Sequence, residues 1–373
     1  MTALRIAYVI GTTAGGTGRH VAMLAEGCAG RGLEVSAFGP DATRRLFPAI
    51  AFTAVDIGER PRPVRDTAAV LRLRRLLVGG GADVVHAHGV RAGAAAVLAL
   101  AGAARERRPA LQVTVHNTAP SGAMSGRVYL ALERLIARRA DAVLCVSADL
   151  ADRMRRAGAR HVSLAVVPAP AAPLPSADAV GKTRAEIGAC GRPIVLAVGR
   201  LARQKGFDVL LEAMASLQDR DPVPLLVIAG DGPMAGQLAA RSRAAGADLR
   251  LLGRRADIPA LLAAADVVVV PSRWEGQPLI VQEALRAGRP LVASRVGGIP
   301  ELTGEAAALL IPASDPGGLA SAMASVLDDA AQSGRLAAAA LARARTLPSE
   351  SDAVDAAIAG YARLAGRTGP GSA

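Results

Sequence analysis

Short apolar runs alternate along this chain with longer stretches whose apolar residues recur at helical spacing. The first run, LRIAYVIG (Leu4–Gly11), ends on glycines. It leads into GRHVAMLAEGCAGRG, where Val21, Leu24 and Cys28 repeat at helical spacing, and then into LEVSAFG, a second strand. The rhythm continues through ADVVHAHG, a helix over about 91–104, LQVTVHN, a helix over about 126–139, and DAVLCVS. Apolar strands alternating with helices predict a parallel sheet covered on both faces. After Val167 the periodicity stops. PAPAAPLPSADAVG is rich in Pro and Ala and reads as a linker over 169–192. A second series then begins, with strands PIVLAVG, PLLVIAG, LRLLG, DVVVVPS and PLVAS. The expected fold class is α/β, with two Rossmann-like, doubly wound parallel-sheet domains over 1–168 and 193–351. A helical pattern over 352–366 is expected to pack back on the first domain, and the tail 367–373 to be disordered.

Composition narrows the function classes. The length of 373 residues suits two domains, and 51% hydrophobic residues can fill two cores. Aromatics make up 2%, too few for the stacking platforms of a single-stranded nucleic-acid binder. Cys28, Cys145 and Cys190 lie far apart, without zinc spacing or a disulfide framework, so a reducing, cytoplasmic setting is expected. The longest apolar run, Ala92–Ala104, is shorter than the roughly 20 residues of a membrane span. The first residues do not read as a signal peptide. Residues 1–170 hold 23 Arg and no Lys against 12 Asp and Glu, a net of +11 within a total of +12. Biased codon usage accounts for Arg over Lys. The asymmetry between halves also fits an anionic membrane surface or an anionic acceptor.

Chemistry concentrates in the loops that follow strands. GTTAGGTGR joins the first strand to the first helix, where main-chain amides can hold phosphate. It fits neither the Walker loop nor the dinucleotide glycine spacing, and a plain tight turn would need the same glycines. VGRLARQKGFDVLLEA places Arg200 just past a strand and Lys205 near the next helix, two cations suited to a diphosphate. The alternative is an ordinary solvated loop. In DVVVVPSRWEGQPLIVQEALRAG (Asp266–Gly288), Pro278 suits a first helical position. Glu275 would then lie on the entry loop and Glu283 in the helix. Two carboxylates suit sugar and ribose hydroxyls, with phosphate at the helix start between them; for Glu283 a plain helix-surface role is the competing reading.

EGQPLIVQE resembles the E-x7-E element of family-4 retaining glycosyltransferases, and GRLARQKG their phosphate-binding element. AGDGP, PSRWEG, EALRAGRPLVAS and VGGIPE follow in that family's order, and GGTGRHVAMLAEGCAGRGLEV, DVVHAHG and TVHN resemble its N-terminal half. The resemblance spans nearly the whole chain. It implies a GT-B fold, two domains facing a cleft, with the nucleotide-sugar donor held mainly by the second domain and the acceptor by the first. It further implies that Glu275 binds donor-sugar hydroxyls with Gly276 and Gln277 beside it, and that Glu283 binds the ribose. Arg200, Lys205 and the amides of Leu279 and Ile280 would bind the diphosphate, which Gly15 and Gly16 would approach from the first domain. His116 would stand beside the reacting sugar and Arg254 near the base. Gln277-Pro278 departs from the Phe-Gly of many members. The implied reaction moves a hexose-type sugar, with retention, from a UDP-sugar or GDP-mannose to a hydroxyl acceptor of unidentified structure, a lipid-linked one included. No cofactor or metal is called for, because the cations and amides can stabilise the leaving diphosphate.

Other features read as structural. Asp219-Arg220-Asp221 is the one D-x-D, in a helix-to-strand loop away from the strand ends. His86 and His88 share a strand face but lack an evident third ligand for a metal. Ser147 reads as a helix N-cap. The helix Arg127–Arg139 could lie on an anionic membrane, or simply have one solvated face. Two competing functions share the composition: a nucleotide-sugar epimerase, which needs proton-transfer groups, and a basic nucleic-acid-binding protein, for which no motif is present.

Overall fold

The computed structural model describes residues 3–12, 15–58, 61–104, 108–117, 123–173, 175–244 and 247–368. The chain divides into two compact units, residues 1–168 with 348–373, and residues 169–347.

Unit 1 runs β1 (Arg5–Ile10), α1 (Gly16–Gly30), β2 (Glu34–Gly39), β3 (Ala51–Ala54), α2 (Pro63–Gly79), β4 (Val84–His88), α3 (Val90–Leu100), β5 (Ala110–Val115), α4 (Ala123–Arg139), β6 (Ala142–Cys145), α5 (Ala148–Arg156) and β7 (Val162–Leu164). Unit 2 continues with α6 (Ala177–Glu186), β8 (Ile194–Val198), α7 (Phe207–Ala215), β9 (Leu225–Ala229), α8 (Ala235–Ala244), β10 (Leu249–Leu251), α9 (Ile258–Ala264), β11 (Val267–Val270), α10 (Leu279–Arg286), β12 (Leu291–Ser294), α11 (Ile299–Thr303), β13 (Leu309–Ile311), α12 (Pro316–Asp328) and α13 (Ala330–Ala344). The last helix, α14 (Glu350–Thr368), returns to unit 1.

Both sheets are parallel and doubly wound. Their orders are β3-β2-β1-β4-β5-β6-β7 and β10-β9-β8-β11-β12-β13. The central strands are buried on both faces because helices cover both: every residue of β4, β5, β9 and β11 is buried, His86 and His88 of β4 and Gln112 and Thr114 of β5 included. The strand order reverses between β1 and β4 in unit 1 and between β8 and β11 in unit 2, the two places where such sheets open a crevice at their carboxyl ends.

Several boundaries differ from the sequence reading. The stretch read as a linker contains α6. Ser176 caps it by accepting a bond from Ala179 N (3.3 Å), and Arg184 ties it to Ala264 O and Asp266. The second unit ends at Leu347. The helix expected over 91–104 ends at Leu100, and Pro278 is the N-cap of α10 instead of its first residue. Ser147 does stand at the N-cap of α5, but its hydroxyl donates to Asp149 Oδ1 and makes no capping bond. The last helix carries two residues expected in the tail, Arg367 and Thr368, and residues 369–373 lie outside those described.

In unit 1, α14 packs on α1 where Gly27 leaves room; a Cβ there would stand 2.4 Å from Val354 Cγ2. Arg31 pairs with Asp355 across the same contact. Tyr361 reaches the sheet and shares a 2.8 Å hydrogen bond with Tyr8, both hydroxyls fully buried. No helix among the described residues is long and apolar enough to cross a membrane.

Candidate functional site

At the carboxyl end of β8 the chain turns through Gly199 and Arg200, then forms a 3₁₀ turn over Arg203–Lys205. The loop after β11 lies against this turn: Arg273 N donates to Gln204 O (2.7 Å). Lys205 and Glu275, assigned above to different parts of a donor, form an ion pair, Nζ to Oε1, 2.5 Å. Glu275 is 5% exposed. Ser272 Oγ donates to the same carboxylate oxygen (2.7 Å), and Gln204 Nε2 approaches the other (3.4 Å). The carboxylate is thus surrounded by donors, as a buried anion must be. Lys205 has three ammonium hydrogens, of which Glu275 takes one. Arg200 is exposed at the strand end.

Close backbone approaches hold this loop. Gly206 has φ +64°, and a Cβ there would meet Pro271 O at 1.9 Å. Gly297 has φ +54°, and its Cβ would meet Glu275 O at 2.1 Å. Next to it, Gly298 N donates to Gly276 O (2.7 Å). Arg273 adds a two-pronged ion pair to Asp208 on α7 (2.7 and 2.8 Å), and holds the Asp208 carboxyl below its usual range. Gly206→Ala and Gly297→Ala are therefore each expected to cost about 2–3 kcal/mol, from strain and a clash with backbone that cannot give way. Gly236→Ala, on α8 with open space around it, should leave the melting temperature unchanged or raise it. Melting curves of the three variants check this, and equal midpoints would refute it.

The loop delivers the chain to α10. Its first-turn amides include those of Leu279 and Ile280, which an α-helix leaves without an internal acceptor. These side chains are buried and anchor the helix start. Glu283 is half-buried on the same helix, while Gln282 is fully buried and accepts from Ala169 N (2.9 Å). Gln277 Oε1 is buried without a partner. Arg254 is exposed just past β10. Its neighbour Arg255 is committed to Glu186 and Asp257. Arg200, Lys205, Glu275, Gly276, Gln277, Leu279, Ile280 and Glu283 thus all lie at the carboxyl ends of β8 and β11 or on the helix leaving β11, and Arg254 is two strands away. Asp219-Arg220-Asp221 precedes β9, at the amino ends of the strands, and Arg220 is bound to Asp328.

Unit 1 presents a second constellation at its own switch point. Gly15 caps α1 with φ +84°, a conformation suited to glycine, and Gly16 opens the helix beside the end of β1. Thr13 and Ala14 of this loop lie outside the described residues. His116 follows β5, buried, with Nε2 3.1 Å from His88 Nδ1. His20 of α1 stands edge-on to both rings. Burial pushes His116 down to about 3, with His20 adding to it, and pushes His20 down to about 4. His86 and His88 are lowered as well, by burial first and by neighbouring histidines second. All four rings are neutral at pH 7. His86 is held at Nδ1 by Tyr361 (2.6 Å) and at Nε2 by Thr114 (2.7 Å). Among the described residues no group of three or more His, Cys, Asp or Glu has the geometry of a metal site.

Sequence reasoning missed Ser272, Gln204, Gly206 and Gly297 at the donor-side loop, and His20 and Tyr361 around His116; it noted His88 for its strand face but did not link it to His116. The glycines lay within the quoted motifs, but their approach partners are distant in sequence. Nothing local marked Tyr361.

The sequence model of the glycosyl transferases group 1 family matches residues 192–329, and that of the glycosyl transferase 4-like domain matches residues 15–170. Glycogen synthase of Mycobacterium tuberculosis is 33% identical over 237 residues, 61% of this chain and 55% of that protein. A GDP-mannose-dependent alpha-(1-6)-phosphatidylinositol monomannoside mannosyltransferase of Mycolicibacterium smegmatis is 33% identical over 226 residues, 56% of this chain and 59% of that one. The chain thus spans little more than half the length of these relatives. The crystal structure of Anabaena HepE in complex with UDP superposes with a TM-score of 0.81 at 20% identity, over 96% of this chain and all of that one. The two family matches fall one on each unit, and both units have the doubly wound sheet of that fold. The chain belongs to the family-4 glycosyltransferases of GT-B fold.

Proposed function

We propose that the chain moves a hexose-type sugar from a nucleoside diphosphate sugar to a hydroxyl acceptor, with retention and without a metal. The observation that carries this reading is the meeting of Lys205, Glu275 and the start of α10 at the β8/β11 switch point. The breaking bond joins the anomeric carbon to a phosphate oxygen, so negative charge grows on the diphosphate. The remaining hydrogens of Lys205, the guanidinium of Arg200 and the amides of Leu279 and Ile280 stabilise it in this reading. Glu275 takes a donor-sugar hydroxyl and Glu283 a ribose hydroxyl. The acceptor oxygen attacks from the face the diphosphate leaves, and its proton passes to a leaving phosphate oxygen. His116, neutral and held down to about 3, is a poor general base, which weighs against an epimerase.

A UDP-sugar is favoured as donor, in line with the UDP bound by the structural neighbour, and GDP-mannose is the alternative, in line with the mannosyltransferase. The basic first unit fits peripheral contact with an anionic cytoplasmic membrane face, where a lipid-linked acceptor would lie. On α4, Val128 and Leu130 are exposed alongside Arg127 and Arg134. The reading is tested by thermal shift against UDP, GDP, ADP and their sugars, with and without EDTA. A shift with one nucleotide, unaffected by EDTA, is expected; no shift with any nucleotide would reject the donor site. Glu283→Ala is expected to weaken binding of that nucleotide by about 1–3 kcal/mol, read by titration calorimetry on the folded variant.

A further inference from the structure

His88 Nε2 is buried without a hydrogen-bond partner. A buried N–H left unpaired is rarer and costlier than a buried acceptor with an unused lone pair. That asymmetry decides how the protons are shared between His88 and His116. His88 Nδ1 and His116 Nε2 stand 3.1 Å apart, so one of them carries the bridging hydrogen. Were His116 Nε2 the donor, the neutral His88 ring would hold its own proton on Nε2, an N–H facing no acceptor. With His88 Nδ1 as donor, Nε2 of His88 is bare and every N–H in the pair is used or faces outward.

We infer that His88 is a positioning residue that sets the tautomer of His116: His88 Nδ1–H donates to His116 Nε2, and His116 therefore presents Nδ1–H, a donor, at its other nitrogen. His88 is well placed for this. Tyr8 stacks on its ring (5.8 Å between centroids, 20° between planes) and His86 lies 4.0 Å away. His86 is in turn held by Thr114 of β5 and Tyr361 of α14, so the last helix of the chain contributes to the orientation of His116. The consequence for the ligand rests on the proposed transferase reaction and on the role the family resemblance implies for His116, beside the reacting sugar. The atom opposite His116 must be a hydrogen-bond acceptor, a hydroxyl, carbonyl or phosphate oxygen. A sugar carrying an ammonium group there is disfavoured, because a neutral N–H would face it.

The test uses the full chain labelled with [15N]histidine, whose five histidines are assigned by single substitutions. Long-range proton–nitrogen correlation at pH 7 is expected to show His88 and His116 both protonated at Nδ1. A His116 ring protonated at Nε2 overturns the inference, and this measurement needs no variant. In His88→Leu, His116 is expected to move to the Nε2–H form and kcat to fall about tenfold or more with KM little changed, in a protein whose melting curve confirms folding. His88→Asn, whose amide N–H can take the place of Nδ1–H, is expected to restore the Nδ1–H form and most of kcat. An unchanged His116 tautomer in His88→Leu overturns the positioning role. If the tautomers are as stated but no sugar is transferred by the native chain, the inference stands and the proposed reaction falls.

Discussion

Lys205→Ala is expected to lower the unfolding free energy by about 3 kcal/mol and to weaken donor binding by about ten- to a hundredfold. Both effects follow from one ion pair. Glu275 is 5% exposed, and the side chain of Lys205 is 20% exposed. Removing the ammonium leaves a buried carboxylate with only Ser272 and the longer contact from Gln204 as partners. Loss of one member of a buried pair is costly because the other keeps its desolvation penalty. The partial exposure of Lys205 and the two remaining donors put the cost at the low end of that range. Pairing Lys205→Ala with Glu275→Gln should return part of the stability, since no buried charge is then left alone, but none of the donor affinity. Denaturant unfolding and donor titration separate the two quantities. A stability loss below about 0.5 kcal/mol for the single variant would show that this pair does not hold the loop, a value expected of an exposed ion pair.

Acidification is expected to destabilise unit 1 well above the pH at which carboxylates titrate. The sign follows from linkage. An unfolded histidine binds a proton near 6.5, whereas folded His20 and His116 stay neutral until about 4 and about 3. The unfolded state therefore takes up more protons on acidification. The stability these rings contribute is full above pH 6.5 and is lost as the pH falls through 6.5 towards their folded values. At pH 5 the loss is about 2 kcal/mol for each of these two rings relative to pH 7.5. His86 and His88, lowered in the same direction, add to it. Melting temperatures measured from pH 7.5 to pH 5 should drop steeply, and the drop should shrink in His20→Phe. Asp208, Asp257 and Asp329 are all held below the usual carboxylate range and cannot produce a transition in this window. A flat melting temperature between pH 7 and pH 5 would mean that the histidine cluster is hydrated and titrates normally.

The parts of the fold read from the sequence are those in which burial leaves a local periodic trace. β1, β4, β5, β8, β9 and β11 are central strands, buried and mostly apolar, and each gives way to a helix with its own spacing. β3, β7 and β13 escaped that reading. They are three or four residues long and lie at sheet edges, where the strand conformation comes from one neighbour more than from their own pattern. The segment that became α6 shows the opposite error. Its prolines suggested a linker, but Ser176 caps a helix there and Arg184 ties that helix to the rest of unit 2 through a partner 82 residues away.

Which loops carry chemistry was also set locally, since the glycines, the rare Lys205 and Glu275 stand in loops that follow strands, and Glu283 stands on the helix after one of them. What these residues do to one another was settled only by tertiary structure. Lys205 and Glu275 are 70 residues apart and meet because β8 and β11 pair at the switch point. His88 and His116 meet because β4 and β5 are neighbours, and Tyr361 reaches His86 across 275 residues. The reason is physical. Periodicity records whether a position is buried, and that depends on a residue's own element. Charge pairing, tautomer and proton affinity depend on which groups replace water around an atom, and that is decided when separate elements pack together.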